Sequence, residues 1–172
     1  MIKADDYTIS FTALEIGEHL FDFKVNKSLF ESFENEDVLD LNIDLRIKLI
    51  KEERILTFNF DFDGVVNVLC DRCLDPLDFE IEGNKNLFVK FGEEYLEEVV
   101  KDDDIMIIPN SEHEINLAHY IYELILLQLP IKCIHPEGMC NEDMIERINN
   151  VEPVVEETID PRWAELQKIK FD

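Results

Sequence analysis

The stretch that determines the fold is VLDLNIDLRIKLIKEERILTFNFDFD, residues 38–63. Apolar residues occupy every odd position from Leu39 to Leu49 and every even position from Leu56 to Phe62, with polar residues between most of them. A period of two residues is typical of a strand with one buried face. Because the polar stretch 51–54 separates the two runs, the sequence predicts a long antiparallel hairpin.

The same alternation continues beyond the hairpin. After Gly64 it passes through Val66 and Val68 to Cys70, which places Cys70 at the end of a strand and predicts a turn directly after it. Short apolar runs elsewhere predict further strands and one short helix around residues 28–34. These strands are predicted at residues 8–11, 20–25, 77–81, 87–91 and 105–108.

A helix is predicted over residues 116–129, with Asn116 as its N-cap and Pro130 as its stop. Apolar side chains cover most of its circumference, so it is expected to be buried on more than one side. Many short strands followed by a helix predict an α+β fold that is mainly antiparallel β, with the sheet folded over or partly closed into a barrel.

The chain of 172 residues suits one domain, predicted over residues 1–149. From residue 150 the composition becomes acidic and loses its periodicity, which is typical of a linker. The tail then contains DPRWAEL, residues 160–166, where Asp160 can cap and Pro161 can start a short C-terminal helix. Trp163 in this tail either folds back onto the domain or inserts into a partner.

The charge is strongly acidic, since 40 acidic residues against 16 basic ones give a net charge of −24. Such a surface repels nucleic-acid phosphates and favours basic protein partners. Residues 93–104 hold the densest acidic run. They are either a solvated loop or a contact surface for a basic protein, with Tyr95 and Trp163 as aromatic anchors. The predicted acidic contacts are Glu93, Glu94, Glu97, Glu98, Asp102, Asp103 and Asp104.

A small basic cluster lies on the exposed face and tip of the hairpin. It is either a solvated surface or a place where RNA phosphates make contact. Its members are Arg46, Lys48, Lys51 and Arg54.

Several classes of protein are disfavoured by what the sequence lacks. There is no apolar run long enough for a signal peptide or a membrane span, so we expect a cytoplasmic protein. There is also no Gly-rich phosphate loop, nucleophile elbow or H-E-x-x-H helix, so we expect no enzymatic activity.

The cysteines suggest a metal site. Cys70 and Cys73 have the two-residue gap that lets a turn aim two sulfurs at one ion, and Cys133, His135 and Cys140 offer further ligands. In a reducing compartment such residues bind metal or remain ordinary thiols. A site filled by four protein ligands would be structural, with no open position for catalysis.

The order of four segments resembles the YceD family. They are CDRCL at residues 70–74, the helix end LLQLP at 126–130, the Cys/His segment that follows, and DPRWAEL at 160–166. YceD proteins are associated with accumulation of large-subunit ribosomal RNA, and their gene often neighbours one for a large-subunit ribosomal protein. This chain has fewer cysteines after the helix than many relatives do.

The resemblance implies a structural zinc site with Cys70, Cys73 and Cys140 as ligands. The fourth ligand is His135, which lies nearer Cys140 in sequence, or alternatively Cys133. It also implies a non-enzymatic ribosome-assembly factor, whose partner is a basic large-subunit ribosomal protein or a precursor particle. The alternative function is direct contact with rRNA through the basic hairpin and a zinc-stapled turn.

Overall fold

The computed structural model describes residues 7–92 and 105–151. Seven strands and three helices lie in these ranges, and Phe11–Ala13 form a 3-10 turn. The strands are β1 (Thr8–Ile9), β2 (Gly17–Asn26), β3 (Val38–Lys51), β4 (Ile55–Leu69), β5 (Pro76–Phe91), β6 (Ile105–Ile108) and β7 (Ile115–Asn116), and the helices are α1 (Lys27–Ser32), α2 (Ala118–Leu126) and α3 (Glu142–Asn149).

Five strands form one sheet in the order β2-β3-β4-β5-β6, and β1 pairs with β7 in a separate ribbon. All neighbours are antiparallel except β5 and β6, which run parallel. This architecture confirms the α+β, mainly antiparallel prediction. Within the described residues the sheet is not a closed barrel, and β2 and β6 are its two edges.

The two-residue period gives the sheet one apolar and one polar face. Leu45 on β3 lies opposite Phe62 on β4, and both are buried. Helices α1 and α2 contribute to the same core, where the ring of Phe60 lies 4.9 Å from that of Tyr120 on α2. Burying a large apolar side chain contributes about 1.5–3 kcal/mol, so this layer dominates the stability of the sheet.

One strand differs from the prediction. Residues 77–81 and 87–91 belong to a single strand, β5, which pairs with β4 along its whole length. The prediction ended one strand at residue 81 and began another at residue 87, but Gly83 between them lies opposite Phe62 on β4. A side chain at Gly83 would collide with the Phe62 ring, so glycine leaves room for the ring across the strand.

The helices also differ from the prediction: α1 and α2 are shorter than predicted, and α3 is an additional helix. Leu117, and not the predicted Asn116, is the N-cap of helix α2. Asn116 belongs to β7, and its side chain accepts a hydrogen bond from the N–H of Ala118 at 2.9 Å. Helix α2 ends at Leu126 rather than residue 129. Helix α3 was not predicted, and the predicted C-terminal helix lies outside the described residues. In residues 7–92 and 105–151 no helix is long and apolar enough to cross a bilayer.

Candidate metal centre

The first half of the site is the turn between β4 and β5. The N–H of Cys70 donates to the carbonyl of Asp75 at 2.9 Å, and the N–H of Leu74 donates to the carbonyl of Cys70 at 2.9 Å. Leu74 takes a left-handed conformation with φ 63°. This reversal directs the thiols of Cys70 and Cys73 into the protein, where both are buried.

The second half is the segment after α2. Asp71 ties it to the first turn, because its N–H donates to the carbonyl of Cys133 and its carboxylate accepts from the N–H of Cys133, both at 2.7 Å. The N–H of Met139 donates to the carbonyl of Pro136 at 3.1 Å, with Gly138 at φ 81°. A glycine at this position is typical of a type II turn. The turn leads the chain back to Cys140.

Four side chains converge where the two halves meet. One ligand atom from each of Cys70, Cys73, His135 and Cys140 lies within 4.8 Å of all the others. The Sγ atoms of Cys70 and Cys140 are 3.9 Å apart, and Cys73 Sγ lies 3.4 Å from His135 Nδ1. These four residues could therefore hold a metal ion.

Two of the six separations between ligand atoms fit a tetrahedral ion. Zinc–sulfur bonds of about 2.3 Å and zinc–nitrogen bonds of about 2.0–2.1 Å at tetrahedral angles imply sulfur–sulfur and sulfur–nitrogen separations of about 3.8 and 3.6 Å. The observed 3.9 and 3.4 Å agree with these values.

The imidazole of His135 is oriented for this role. Its Nε2 lies 3.2 Å from the carbonyl oxygen of Pro76, which can only accept a hydrogen bond. The ring proton of the neutral imidazole therefore sits on Nε2, and Nδ1 presents its lone pair to the thiols. Metal-bound histidines commonly donate their other ring N–H to a carbonyl in this way.

This cluster joins two of the four segments that carried the family resemblance, CDRCL and the Cys/His segment after α2. The model of the family described as large ribosomal RNA subunit accumulation protein YceD matches residues 58–170, more than half of the chain. The chain belongs to the YceD family. No curated protein and no solved structure matches it significantly. The family match contains both halves of the cluster, and its description concerns accumulation of large-subunit rRNA.

The electrostatics of this YceD cluster favour one thiolate. Burial opposes ionisation of Cys70, but hydrogen bonds from the backbone N–H groups of Cys73, His135 and Arg72 and from the Cys73 side chain lower its pKa from 9.0 to about 6. Burial raises the pKa of Cys140, as do its contacts with Cys70 and Cys73. The hydrogen bond to Cys70 raises the pKa of His135. A thiolate is the form of cysteine that binds metal.

The alternative ligand lies elsewhere. Cys133 uses its backbone to pair with Asp71, and its Sγ is 3.6 Å from the carbonyl of Pro130. It is not part of the four-residue group. Burial raises the pKa of its thiol, and the charge of Asp71 adds to this effect.

The other predicted site residues are the acidic run with Trp163 and the basic residues of the hairpin, and the structure describes only the second group. The acidic run 93–104 and Trp163 are outside the described residues. Three of the four hairpin cations bind groups of this chain: Arg46 pairs with Asp22 at 3.1 Å, Lys48 pairs with Glu18 at 2.9 Å, and Lys51 donates to two backbone carbonyls.

Helix α3 is the part of the site that sequence reasoning missed. Its Met144 and Ile145 pack against the three cysteines of the cluster. Asn141 caps it by accepting from the N–H of Met144, and also donates to Asp75 beside the first turn at 3.2 Å. The cap and the two acidic residues after it are helix-start signals that the sequence displays.

Proposed function

We propose that this YceD protein is a cytoplasmic, non-enzymatic ribosome-assembly factor. It binds a basic large-subunit ribosomal protein, or a precursor particle that carries one, and thereby promotes accumulation of large-subunit rRNA. The family description supports the process. The observation that carries the choice of partner is the acidic solvent face of the five-stranded sheet.

Carboxylates stand in a row across this face. Asp44, Asp63 and Glu82 are direct cross-strand neighbours on β3, β4 and β5, and all three are exposed. Lys24 pairs with Asp44 at 2.8 Å. Further exposed acids on the same face are Asp40, Asp61, Asp78 and Glu80.

Such a row lowers the folding stability of the protein without its partner, because like charges directly opposite one another in a sheet are destabilising. A partner that brings lysines or arginines would relieve this repulsion. Two shallow clefts of about 460 and 470 Å³ open on the face, and Asp63 lines both. They provide room for basic side chains between the carboxylates.

The alternative of direct rRNA contact has less support. Arg46 and Lys48 pair with acidic side chains, and Lys51 is held by the carbonyls of Phe11 and Leu14. To contact phosphate, these cations would first have to leave their present partners. The acidic row on the same sheet face would also repel an RNA backbone.

For the Cys/His cluster we propose zinc in a structural role. Three thiols and one imidazole are a ligand set that zinc commonly takes. All four positions are supplied by Cys70, Cys73, His135 and Cys140, so the ion would join the β4–β5 turn to the segment before α3. When bound, it would contribute folding free energy rather than an open catalytic position.

The test is an affinity pull-down of the tagged full chain from growing cells, with half of the sample treated with ribonuclease. We expect one basic large-subunit protein to remain bound after treatment, in excess over the others. The Asp63→Lys/Glu82→Lys variant should lose this protein. The control Glu52→Lys/Glu53→Lys has the same change in charge but places it on the β3–β4 turn, so it should keep the partner.

Loss of every ribosomal protein with the RNA would contradict this proposal and favour the rRNA alternative. In that case Arg46→Glu/Lys48→Glu should abolish binding with a steep dependence on salt. On our proposal the same variant changes binding little.

A further inference from the structure

Exposed apolar residues lie on the two segments that carry the Cys/His cluster. Leu74 and Met139 follow or precede cluster ligands directly and are 61% and 67% exposed. Ile134 lies beside His135, and Ile131 lies two residues before Cys133, both exposed. We call Leu74, Ile131, Ile134 and Met139 the apolar rim.

The cluster joins the two segments that carry the rim residues. Leu74 is adjacent to Cys73, Ile134 is adjacent to His135, and Cys73 Sγ lies 3.4 Å from His135 Nδ1. Met139 is adjacent to Cys140, whose Sγ belongs to the same group. The rim therefore consists of exposed apolar residues on two segments that are far apart in sequence and that the cluster joins. Exposed apolar surfaces of this kind commonly mark interaction sites.

Acidic side chains on these segments outnumber the exposed cations Arg72 and Lys132. Asp71 and Asp75 flank the first turn, and Glu137 lies in the second, all exposed. Glu142 and Asp143 begin α3 beside them. A segment that binds this surface would therefore be complementary to it if it combined apolar side chains with positive charge.

We infer that the occupant is the chain's own C-terminal segment, residues 160–170. This segment contains Trp163, Leu166 and Ile169 at intervals of three residues, together with Arg162, Lys168 and Lys170. Against these three cations the segment holds the acids Asp160 and Glu165, so it carries a net charge of +1 in a chain whose net charge is −24. Its composition complements the apolar rim and the acids on the same two segments. The family match also includes the segment along with the cluster.

The covalent connection allows this contact. Helix α3 starts two residues after Cys140 and, at 1.5 Å per residue, carries the chain about 12 Å away. The connecting stretch 152–159 can span about 25–30 Å when extended, which is enough to return to the rim. A tethered segment of this length meets its site at an effective concentration of about millimolar, so a weak contact suffices. This contact does not depend on the identity of the proposed ribosomal partner.

Trp163 is the only tryptophan, so its fluorescence in the full chain reports on this segment alone. We expect acrylamide to quench it about threefold less in the native protein than in the same chain in urea, because the bound tail is shielded. The protection should persist through about a hundredfold dilution, since an intramolecular contact does not depend on concentration.

Leu74→Asn/Met139→Gln should raise quenching to the urea value. Asparagine is chosen because it tolerates the left-handed conformation at residue 74. The control is Leu20→Asn, which removes an apolar side chain of 66% exposure from β2 and should leave quenching unchanged. A second variant, Leu166→Asn/Ile169→Asn, changes only the tail and should also raise quenching to the urea value.

Three results would overturn the inference. They are native quenching equal to that in urea, quenching in both test variants that stays at the native value, and a rise in the Leu20→Asn control equal to that in the rim variant. Protection that disappears on dilution would assign the rim to a second copy of the chain and would equally reject an intramolecular contact.

Discussion

The sheet and the metal corner are ordered in different ways. The metal corner comprises residues 70–76 and 133–149. The sheet buries a continuous layer of leucine, isoleucine, valine and phenylalanine on β3, β4 and β5. In the metal corner the buried apolar group consists of Cys70, Cys73 and Cys140, with Leu77, Met144 and Ile145 only partly buried around them. Helix α3 buries none of its own residues.

Hydrophobic burial accounts for the order of the sheet, and on our proposal a bound ion accounts for that of the corner. A segment with so few buried apolar contacts does not offset its loss of conformational entropy unaided. Ligand bonds to an ion would supply the missing free energy. Each substitution below is made in one of the two regions, so that the other region serves as its control.

The largest effect should come from removing one ligand. Cys73→Ser is expected to reduce bound metal from about one ion per chain to near zero, because a hydroxyl cannot replace the thiolate. Elemental analysis of the purified protein measures this directly. Cys133→Ser is the matched control and should retain its metal, and equal losses in the two variants would refute the four-residue assignment.

The second effect should be confined to the sheet. Phe60→Ala should lower the free energy of unfolding by about 3–5 kcal/mol, because the side chain is fully buried and leaves a cavity. Urea titration followed by circular dichroism measures this loss. Phe88→Ala changes a residue that is 38% exposed, so it should lower the free energy of unfolding much less. Under native conditions the folded Phe60→Ala protein should still carry its metal.

A smaller change tests the turn within the corner. Gly138 has φ 81° and open space around it, so Gly138→Ala would cause backbone strain without a collision. The expected cost of about 1 kcal/mol would weaken metal binding about fivefold. A competition titration with a chelator measures it. The metal affinity of Gly138→Asn should lie between those of the unchanged protein and Gly138→Ala. A larger loss of affinity for asparagine than for alanine would argue against backbone strain as the cause.

The smallest effect should be a gain in stability. Asp63→Asn/Glu82→Gln removes like charges that face each other across β4 and β5, so unfolding should cost up to about 1 kcal/mol more. The same variant should bind the basic partner less well. Glu52→Gln/Glu53→Gln, on the β3–β4 turn, should change neither property. A loss of stability in the first variant would remove the argument that the acidic face is costly to the free protein.

The sequence predicts the two regions to different extents. Alternation alone predicted β3, β4 and their pairing, and the strand at residues 105–108 agrees with β6. It failed within β5, where two separate strands were predicted at residues 77–81 and 87–91 although Gly83 between them pairs with Phe62 on the neighbouring strand. A local pattern cannot show such a cross-strand contact. Helix α3 could have been predicted from Asn141 and the acids after it.

At the site, the spacing of the cysteines and His135 indicated five candidate metal ligands but not which four of them come together. Five residues were candidates, and four converge in the structure. The contact that separates them is the pairing of Asp71 with Cys133, which joins residues 62 positions apart. It occupies the backbone of Cys133 and leaves His135 facing the thiols. Because this pairing is a long-range tertiary contact, sequence spacing alone could not reveal it.

The most direct test of the contrast between the two regions is hydrogen exchange of the full chain, measured by mass spectrometry before and after treatment with a chelator. We predict that residues 70–76 and 133–149 lose protection when the metal is removed, while β3, β4 and β5 keep theirs. Equal protection in both samples would contradict a metal-dependent corner. Loss of protection throughout the sheet would contradict the claim that hydrophobic burial alone maintains it.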